Sequence, residues 1–289
     1  MEIAIVSGKG GAGKTTLATR LFLADPESVL LDCDVEEPNA SLHLSVDWHG
    51  EEPMMARYPE IHEERCNHCG TCASFCAFKA ILSGPAVTIP MPERCHDCGG
   101  CAMVCPQNAV EYKERPVGKI SYGTVGSSFF AHGELNVGEL SGVRMIRQLR
   151  SMPQKNQRVW IDGPPGTACA AVAAVEGADY VVVVGEPTPF GVSDMAMALD
   201  MLDGLKIPHG LVVNKAGIGN DEIHRYCHQR KVPILGEVPH SLELAQASAA
   251  GVKGWSELNP SNLFKELVQT IGFNAEKAQD AQTVKGGCA

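Results

Sequence analysis

The sequence predicts a doubly wound α/β fold, a mostly parallel sheet covered by helices on both faces, with a small α+β module inserted into it. Three observations predict it. Apolar runs of strand length alternate with helix-length segments along most of the chain, the pattern of a parallel sheet with crossover helices. A glycine-rich turn, Gly8–Thr15, follows the first apolar run and opens the first helical stretch. Eight of the twelve cysteines lie between Cys66 and Cys105 in two tight runs, which marks a separate unit.

Taken in order, Glu2–Ser7 reads as a short apolar strand and Lys14–Ala24 as a helix. Val29–Leu31 is a second buried strand, ending in Asp32-Cys33-Asp34. From Val35 to Glu64 the pattern is irregular and rich in Glu, His and Pro, and reads as a connection. The cysteine module runs from about Ile61 to Glu114, and its halves, Cys66–Ile81 and Cys95–Val110, repeat one spacing. Gly118–Leu140 holds one or two strands, and Gly142–Arg150 a helix. Buried strands follow at Val159–Ile161, Tyr180–Val184, Leu211–Val213 and Ile234–Leu235. Helices are expected near Ala168–Glu176, Val192–Leu205, Asp221–Gln229 and Leu242–Ala249. Ser261–Ile271 is a closing helix, and Asn274–Ala289, polar and rich in small residues, a loose tail. The division expected is 1–60 and 115–273 for the α/β domain, 61–114 for the insert and 274–289 for the tail.

The 289 residues, 44% hydrophobic and 20% charged, suffice to bury a full core. A formal net charge of −10 argues against a nucleic-acid backbone or an anionic membrane as main partner, since both reward excess Lys and Arg. No apolar run approaches membrane-spanning length. Met1–Ser7 leads straight into the glycine turn, so no signal peptide is read and a cytoplasmic location is expected. In a reducing compartment clustered thiols read as metal ligands and not as disulfides.

Gly8-Lys9-Gly10-Gly11-Ala12-Gly13-Lys14-Thr15 matches G-x4-G-K-[ST] between a strand and a helix, the context the motif requires. Successive backbone N–H groups curl around phosphates at a helix N-terminus, whose dipole favours anions. Lys14 is expected to reach the β- and γ-phosphates and the Thr15 hydroxyl to bind Mg²⁺. Thr16, next in the helix, is counted with the loop as nucleotide-binding.

The second lysine, Lys9, resembles the deviant Walker A motif of the MinD, ParA and nitrogenase iron protein superfamily. The resemblance implies a P-loop NTPase sheet, an ATP-dependent sandwich dimer, and a Lys9 that crosses the interface to the partner's nucleotide. Asp32-Cys33-Asp34-Val35-Glu36-Glu37-Pro38-Asn39 is similar to the family's switch I, with Asp34 orienting the attacking water. Ile161-Asp162-Gly163-Pro164-Pro165-Gly166-Thr167 is similar to switch II, with Asp162 holding Mg²⁺ through water and Gly166 sensing the γ-phosphate. Asn214-Lys215 resembles the base-recognition turn, but Gly217 stands where guanine-specific members have Asp, so ATP is expected, with Pro239 near the adenine.

Cys66-x2-Cys69-x2-Cys72-x3-Cys76 and Cys95-x2-Cys98-x2-Cys101-x3-Cys105-Pro106 form the bacterial two-cluster ferredoxin pattern, in which each fourth cysteine serves the other cluster. That pattern implies one [4Fe–4S] cluster on Cys66, Cys69, Cys72 and Cys105, and a second on Cys76, Cys95, Cys98 and Cys101. Zinc is the bland alternative, yet zinc sites rarely use two such runs. Ala77 departs from the proline expected after the first run's last cysteine, which leaves both ligand sets whole.

A deviant P-loop with a ferredoxin inserted after switch I resembles the MinD-superfamily ATPases containing a bacterial-type ferredoxin domain, over roughly Met1 to Ile271. The resemblance implies partners among metalloproteins of the dinitrogenase iron–molybdenum cofactor biosynthesis family, and a dimer with an identical subunit or a related ATPase. Three readings follow. The first is an ATPase that couples nucleotide state to electron transfer. The second is an iron–sulfur or metallocofactor assembly and carrier ATPase, whose Mrp branch usually has a C-terminal-half C-x-x-C absent here. The third is a MinD-like positioning ATPase, against which Ser261–Ala289 carries three Lys and three acidic residues and no basic face. Cys169, Cys227 and Cys288 read as structural, and the His224, Cys227, His228 face as a polar surface.

Overall fold

The computed structural model describes residues 1–139, 141–153, 156–257 and 261–286. Its strands are β1 (Glu2–Val6), β2 (Val29–Asp32), β3 (Asp47–Ile61), β4 (Ile81–Gly84), β5 (Val87–Pro90), β6 (Val110–Val125), β7 (Ser128–Leu135), β8 (Val159–Asp162), β9 (Tyr180–Gly185), β10 (His209–Ala216) and β11 (Ile234–Pro239). Its helices are α1 (Lys14–Ala24), α2 (Thr71–Phe75), α3 (Gly100–Met103), α4 (Val143–Ser151), α5 (Cys169–Val175), α6 (Pro189–Leu205), α7 (Glu222–Arg230), α8 (Leu242–Ala249), α9 (Gly251–Glu257) and α10 (Ser261–Gly286). The chain divides into two compact units, one of 1–50, 121–133 and residues from 143 onward, the other of 51–120 and 134–142.

The first unit is built on the sheet order β11-β10-β9-β1-β8-β2-β7, to which β6 and β3 add. The pairings of β1 with β8 and β9, of β2 with β7 and β8, and of β10 with β9 and β11 are all parallel. Strands covered on both faces must be apolar throughout. Accordingly Val29, Leu30 and Leu31, Val159 to Ile161, and Tyr180 to Val184 are all buried.

Trp160 is fully buried, and its indole N–H donates to Asp25 Oδ2 at 2.9 Å. Trp160→Ala is expected to cost about 3–5 kcal/mol through the cavity it leaves and the acceptor it orphans. Urea unfolding checks this: the midpoint falls while the slope holds.

Three elements depart from the sequence expectation. The connection predicted over Val35–Glu64 contains β3, which stands last in the sheet order and buries only Met54 and Pro59 along its length. A strand with no continuous buried face shows no apolar alternation, so its pattern is not legible. The short helix α9 is unanticipated. The loose tail from Asn274 is corrected: helix α10 continues through Gly286. Phe264, Leu267, Val268, Ile271 and Ala275 are buried at helical spacing in the core. Alanine at 275 extends the apolar stripe without raising its hydrophobicity much, which hides it in a sequence scan. Cys288 lies outside the described residues.

The second unit holds the two cysteine runs. Its expected bounds, 61–114, are narrower than the compact unit found, because β3 and β6 both run on through it. β4 and β5 form an antiparallel hairpin with Leu82 facing Ile89. Short helices α2 and α3 each begin after a glycine with positive φ, Gly70 at 74° and Gly99 at 79°. The sequence repeat is thus a backbone repeat: His68 and Asp97, and Lys79 and Asn108, also share left-handed conformations at matching positions. Cys72, Ile81 and Cys101 form its small core, with Ala73, Val110 and Tyr112 packed against it. Among the described residues no helix is long and apolar enough to cross a membrane.

Candidate functional site

Parallel register aligns the acidic groups of the first unit. Asp162 ends β8 beside Ile5 of β1 and beside Asp32 of β2. Both carboxylates therefore stand at the carboxyl end of the sheet, where open α/β folds bind ligands. The loop Gly8–Gly13 crosses the same end before α1. Gly13 has φ 92°, and a Cβ there would meet Asn214 Nδ2 at 2.2 Å, so only glycine fits. That amide donates to the Ala12 carbonyl at 2.7 Å, tying the β10 turn to the loop.

Lys14 is buried, and its Nζ lies 3.8 Å from Asp34 Oδ2. Asp32 is fully buried and accepts hydrogen bonds from the N–H groups of Asp34 (3.1 Å) and Ala40 (2.9 Å), which shapes the turn carrying Asp34. Burial, reinforced by Asp162, pushes the Asp32 carboxyl well above its ordinary value. Asp162 is also fully buried, and neither of its oxygens has a hydrogen-bond partner of good geometry among the described residues. Burial pushes its pKa up to about 7, although Lys14 and the Thr15 hydroxyl pull it down. Burial likewise raises Asp34 to about 6 against the pull of Lys14.

A fully buried carboxylate approached by the Thr15 hydroxyl but by no donor of good geometry is costly and calls for a cation or ordered water. Asp162 beside Thr15 and Asp34 fits Mg²⁺, whose waters would meet those lone pairs. Gly166 has φ 84°, and its N–H donates to the Ser7 carbonyl at 2.9 Å, holding the turn after β8 against the start of the loop.

A cavity of about 400 Å³ lies beyond the loop, lined by Gly11, Gly13, Thr16, Asn214, Lys215, Pro239, Ser241 and Phe264 among others. The expected base contacts Asn214 and Pro239 are thus on one wall. Ser248 also lines it and hydrogen-bonds Thr16 at 3.1 Å.

Lys9 is engaged within the chain: its Nζ lies 3.1 Å from Glu186 Oε2 and 3.9 Å from Asp194 Oδ2. Glu186 also pairs with Lys215. Burial would raise the Glu186 carboxyl, but the ammonium groups of Lys215 and Lys9 outweigh it and hold the carboxyl below its usual value. Sequence reasoning missed Glu186, Asp194 and Ser248. A signal existed for Glu186 alone, an acid directly after an all-buried strand.

In the second unit the thiols gather around two cavities. One is lined by Cys66, Cys69, Cys72 and Cys105, with Thr71 and Thr88. The other is lined by Cys76, Cys95, Cys98 and Cys101, with Phe75, Phe78 and Tyr112. Equivalent backbone donors serve both repeats: Ala80 N–H reaches Cys76 Sγ and Ala109 N–H reaches Cys105 Sγ, each at 3.3 Å. Among the described residues no group of three or more His, Cys, Asp or Glu is drawn tightly enough to hold a single metal ion. The eight cysteines are free of disulfides.

The remaining cysteines stand apart. Cys169 is exposed at the start of α5, while Cys33 and Cys227 are buried. His224 pairs with Glu237 at 2.8 Å, and with His228 it lines an open groove on α7.

Comparison with known proteins matches residues 3–253 to the family described as the CobQ/CobB/MinD/ParA nucleotide binding domain. The chain is 36% identical over 227 residues to the uncharacterized protein MJ0578 of Methanocaldococcus jannaschii, covering 76% of this chain and 80% of that one. It is 23% identical over 293 residues to the iron-sulfur cluster carrier protein of Pyrococcus horikoshii, covering 93% and 85%. Among solved structures, the cell division ATPase MinD of Pyrococcus furiosus aligns at a TM-score of 0.56 and 19% identity, covering 94% and 98%. The mostly parallel sheet, the phosphate loop and the family match agree: this chain belongs to the CobQ/CobB/MinD/ParA nucleotide-binding family, as a P-loop ATPase.

Proposed function

We propose that this chain is a dimeric ATP-driven switch that carries two [4Fe–4S] clusters in an inserted ferredoxin domain and couples its nucleotide state to electron transfer toward a partner metalloprotein. The observation that carries the reading is the pair of cysteine cavities, each taking three thiols from one run and the fourth from the other. That crossing is how the two-run ferredoxin spacing serves two clusters. Four thiols lining a cavity without converging on one point suit a cube better than a single zinc ion, which draws its ligands to within ~2.3 Å. When bound, such clusters supply one-electron redox chemistry.

On the nucleotide side, Lys14 would neutralise the β- and γ-phosphates, Thr15 and Asp162 would hold Mg²⁺ (Asp162 through water), and Asp34 would orient the attacking water. Gly217 in place of an acid favours ATP over GTP. Lys9 would exchange Glu186 and Asp194 for the nucleotide of a second subunit, either identical or a related ATPase. Dinitrogenase iron–molybdenum cofactor biosynthesis-type proteins are the partner class proposed, and the cytoplasm the place. Anaerobically prepared protein is expected to hold about eight iron atoms per chain. Its reduction potential should differ between the ATP- and ADP-bound forms. A colourless, iron-poor chain after reconstitution would sink the cluster reading, and identical potentials the coupling.

A second reading, cluster assembly or delivery, is favoured by the iron-sulfur cluster carrier relative. It predicts transfer of cluster to an apo-acceptor, whereas clusters that stay bound while ATP turns over support the first reading.

A further inference from the structure

We propose that Tyr112 is the residue that sets the two cysteine sites apart, giving the site of Cys76, Cys95, Cys98 and Cys101 the higher reduction potential; this rests on the cluster reading above. The internal repeat makes the comparison direct. Backbone donors to Cys76 and Cys105 are equal in length, so that pair does not separate the sites; the Asp97 N–H, 3.4 Å from Cys95 Sγ, adds a longer backbone donor at the second site, which Tyr112→Phe leaves in place. The side chains around them differ.

At the second site the Tyr112 hydroxyl lies 2.9 Å from Cys101 Sγ. Cys101 is buried, and Tyr112 packs against the small core. The equivalent position of the first repeat is Ser83, whose hydroxyl bonds Thr88 at 3.0 Å and, among the described residues, reaches no cysteine within hydrogen-bond distance. The first site has its own hydroxyl, Thr71, 3.3 Å from Cys69 Sγ, but Cys69 is exposed, where water supplies an equivalent bond. Its remaining contacts are long: His68 Nδ1 at 3.7 Å and Thr88 Oγ1 at 3.9 Å from Cys66 Sγ.

A phenol with an ordinary pKa near ~10 stays protonated and donates to a thiolate. A donor to ligand sulfur stabilises the reduced, more negative cluster, which raises its potential. The effect is larger where the surroundings are dry, because a hydrogen bond is electrostatically stronger there and no water replaces it. Tyr112 is also held in place. The Arg57 guanidinium lies 5.5 Å over its ring, and Arg57 is anchored on Asp97 by a 3.1 Å ion pair and a 3.0 Å backbone bond. Electrons entering the unit would therefore rest on the second site, whose cavity is flanked by the exposed rings of Phe75 and Phe78.

The test is a potentiometric EPR titration of the full chain, reconstituted anaerobically, with iron counted in each sample. In Tyr112→Phe the higher of the two midpoints is expected to fall, the one-electron equilibrium shifting up to about tenfold, or ~59 mV, while the lower stays. Thr71→Val is expected to move neither by more than about twofold. Should the phenylalanine variant load iron poorly, 3,5-difluorotyrosine at position 112 keeps the shape and strengthens the donor, and is expected to raise the same midpoint. Two unchanged midpoints, or an equal shift of both, in an iron-replete variant would overturn the role of Tyr112. Iron-free wild-type protein would instead overturn the cluster reading on which it rests.

Discussion

Lys14→Ala is expected to lower the rate of ATP hydrolysis by about 100- to 1,000-fold, the loss usual when one preorganised charge aimed at a developing negative charge is removed. Lys14 is buried and lies 3.8 Å from Asp34, so its ammonium is fixed before the nucleotide arrives. No reorganisation is then required as charge builds on the transferred phosphoryl group, which is why a fixed cation acts strongly. On the dimer reading proposed above, Lys9→Ala, with the loop's own Lys14 intact, is expected to lower hydrolysis only at the protein concentrations where the chain pairs. Steady-state phosphate release checks both variants. A Lys14→Ala chain that hydrolyses ATP within a few-fold of the natural rate would remove Lys14 from the chemistry.

Asp162→Asn is expected to abolish hydrolysis while making the nucleotide-free chain more stable. The reason is the charge density at the end of β2 and β8. Asp32, Asp34 and Asp162 stand together with Lys14 as the ammonium among them, and burial raises all three carboxyls. With Asp34 at about 6 and Asp162 at about 7, against 3.8 for a free carboxyl, the folded chain binds more protons than the unfolded one between those limits. The stability that Asp34 and Asp162 contribute to the nucleotide-free protein therefore falls as pH rises from about 4 to about 7, and Asp32, also raised, adds to the fall. An amide at 162 cannot ionise, so the upper part of that fall disappears. The gain at pH 8 is on the order of 4 kcal/mol. Urea unfolding across this pH range reads the slope directly. Equal slopes and midpoints in the two proteins would show that Asp162 carries no buried charge. Mg·ATP should restore the stability of natural protein at pH 8 and leave the asparagine variant little changed, because only the carboxylate rewards the cation.

Much of this was legible beforehand. The strand–loop–helix of Gly8–Thr15 is a local pattern, and the structure carries it as read, β1 into loop into α1. The buried strands around Val29, Val159, Tyr180 and Leu211 were visible because two covered faces demand continuous apolar residues. The long β3 was not, since only Met54 and Pro59 are buried along it and no buried face imprints the alternation that marks a strand. The second half of α10 was hidden because Ala275 buries completely while adding little apolar signal. Glu186 and Asp194, which hold Lys9, come from β9's end and from α6, far along the chain from the loop they touch.

By itself the sequence determined the phosphate loop, the α/β alternation and the two cysteine runs, because each depends on residue type at fixed short spacing. Tertiary structure alone decided which groups meet: Asp162 beside Asp32 through parallel register, Lys9 on Glu186, and Tyr112 on Cys101 in one repeat but not the other. Local spacing fixes backbone conformation over a few residues, whereas the burial and partners of a charge are set by segments brought together from across the chain.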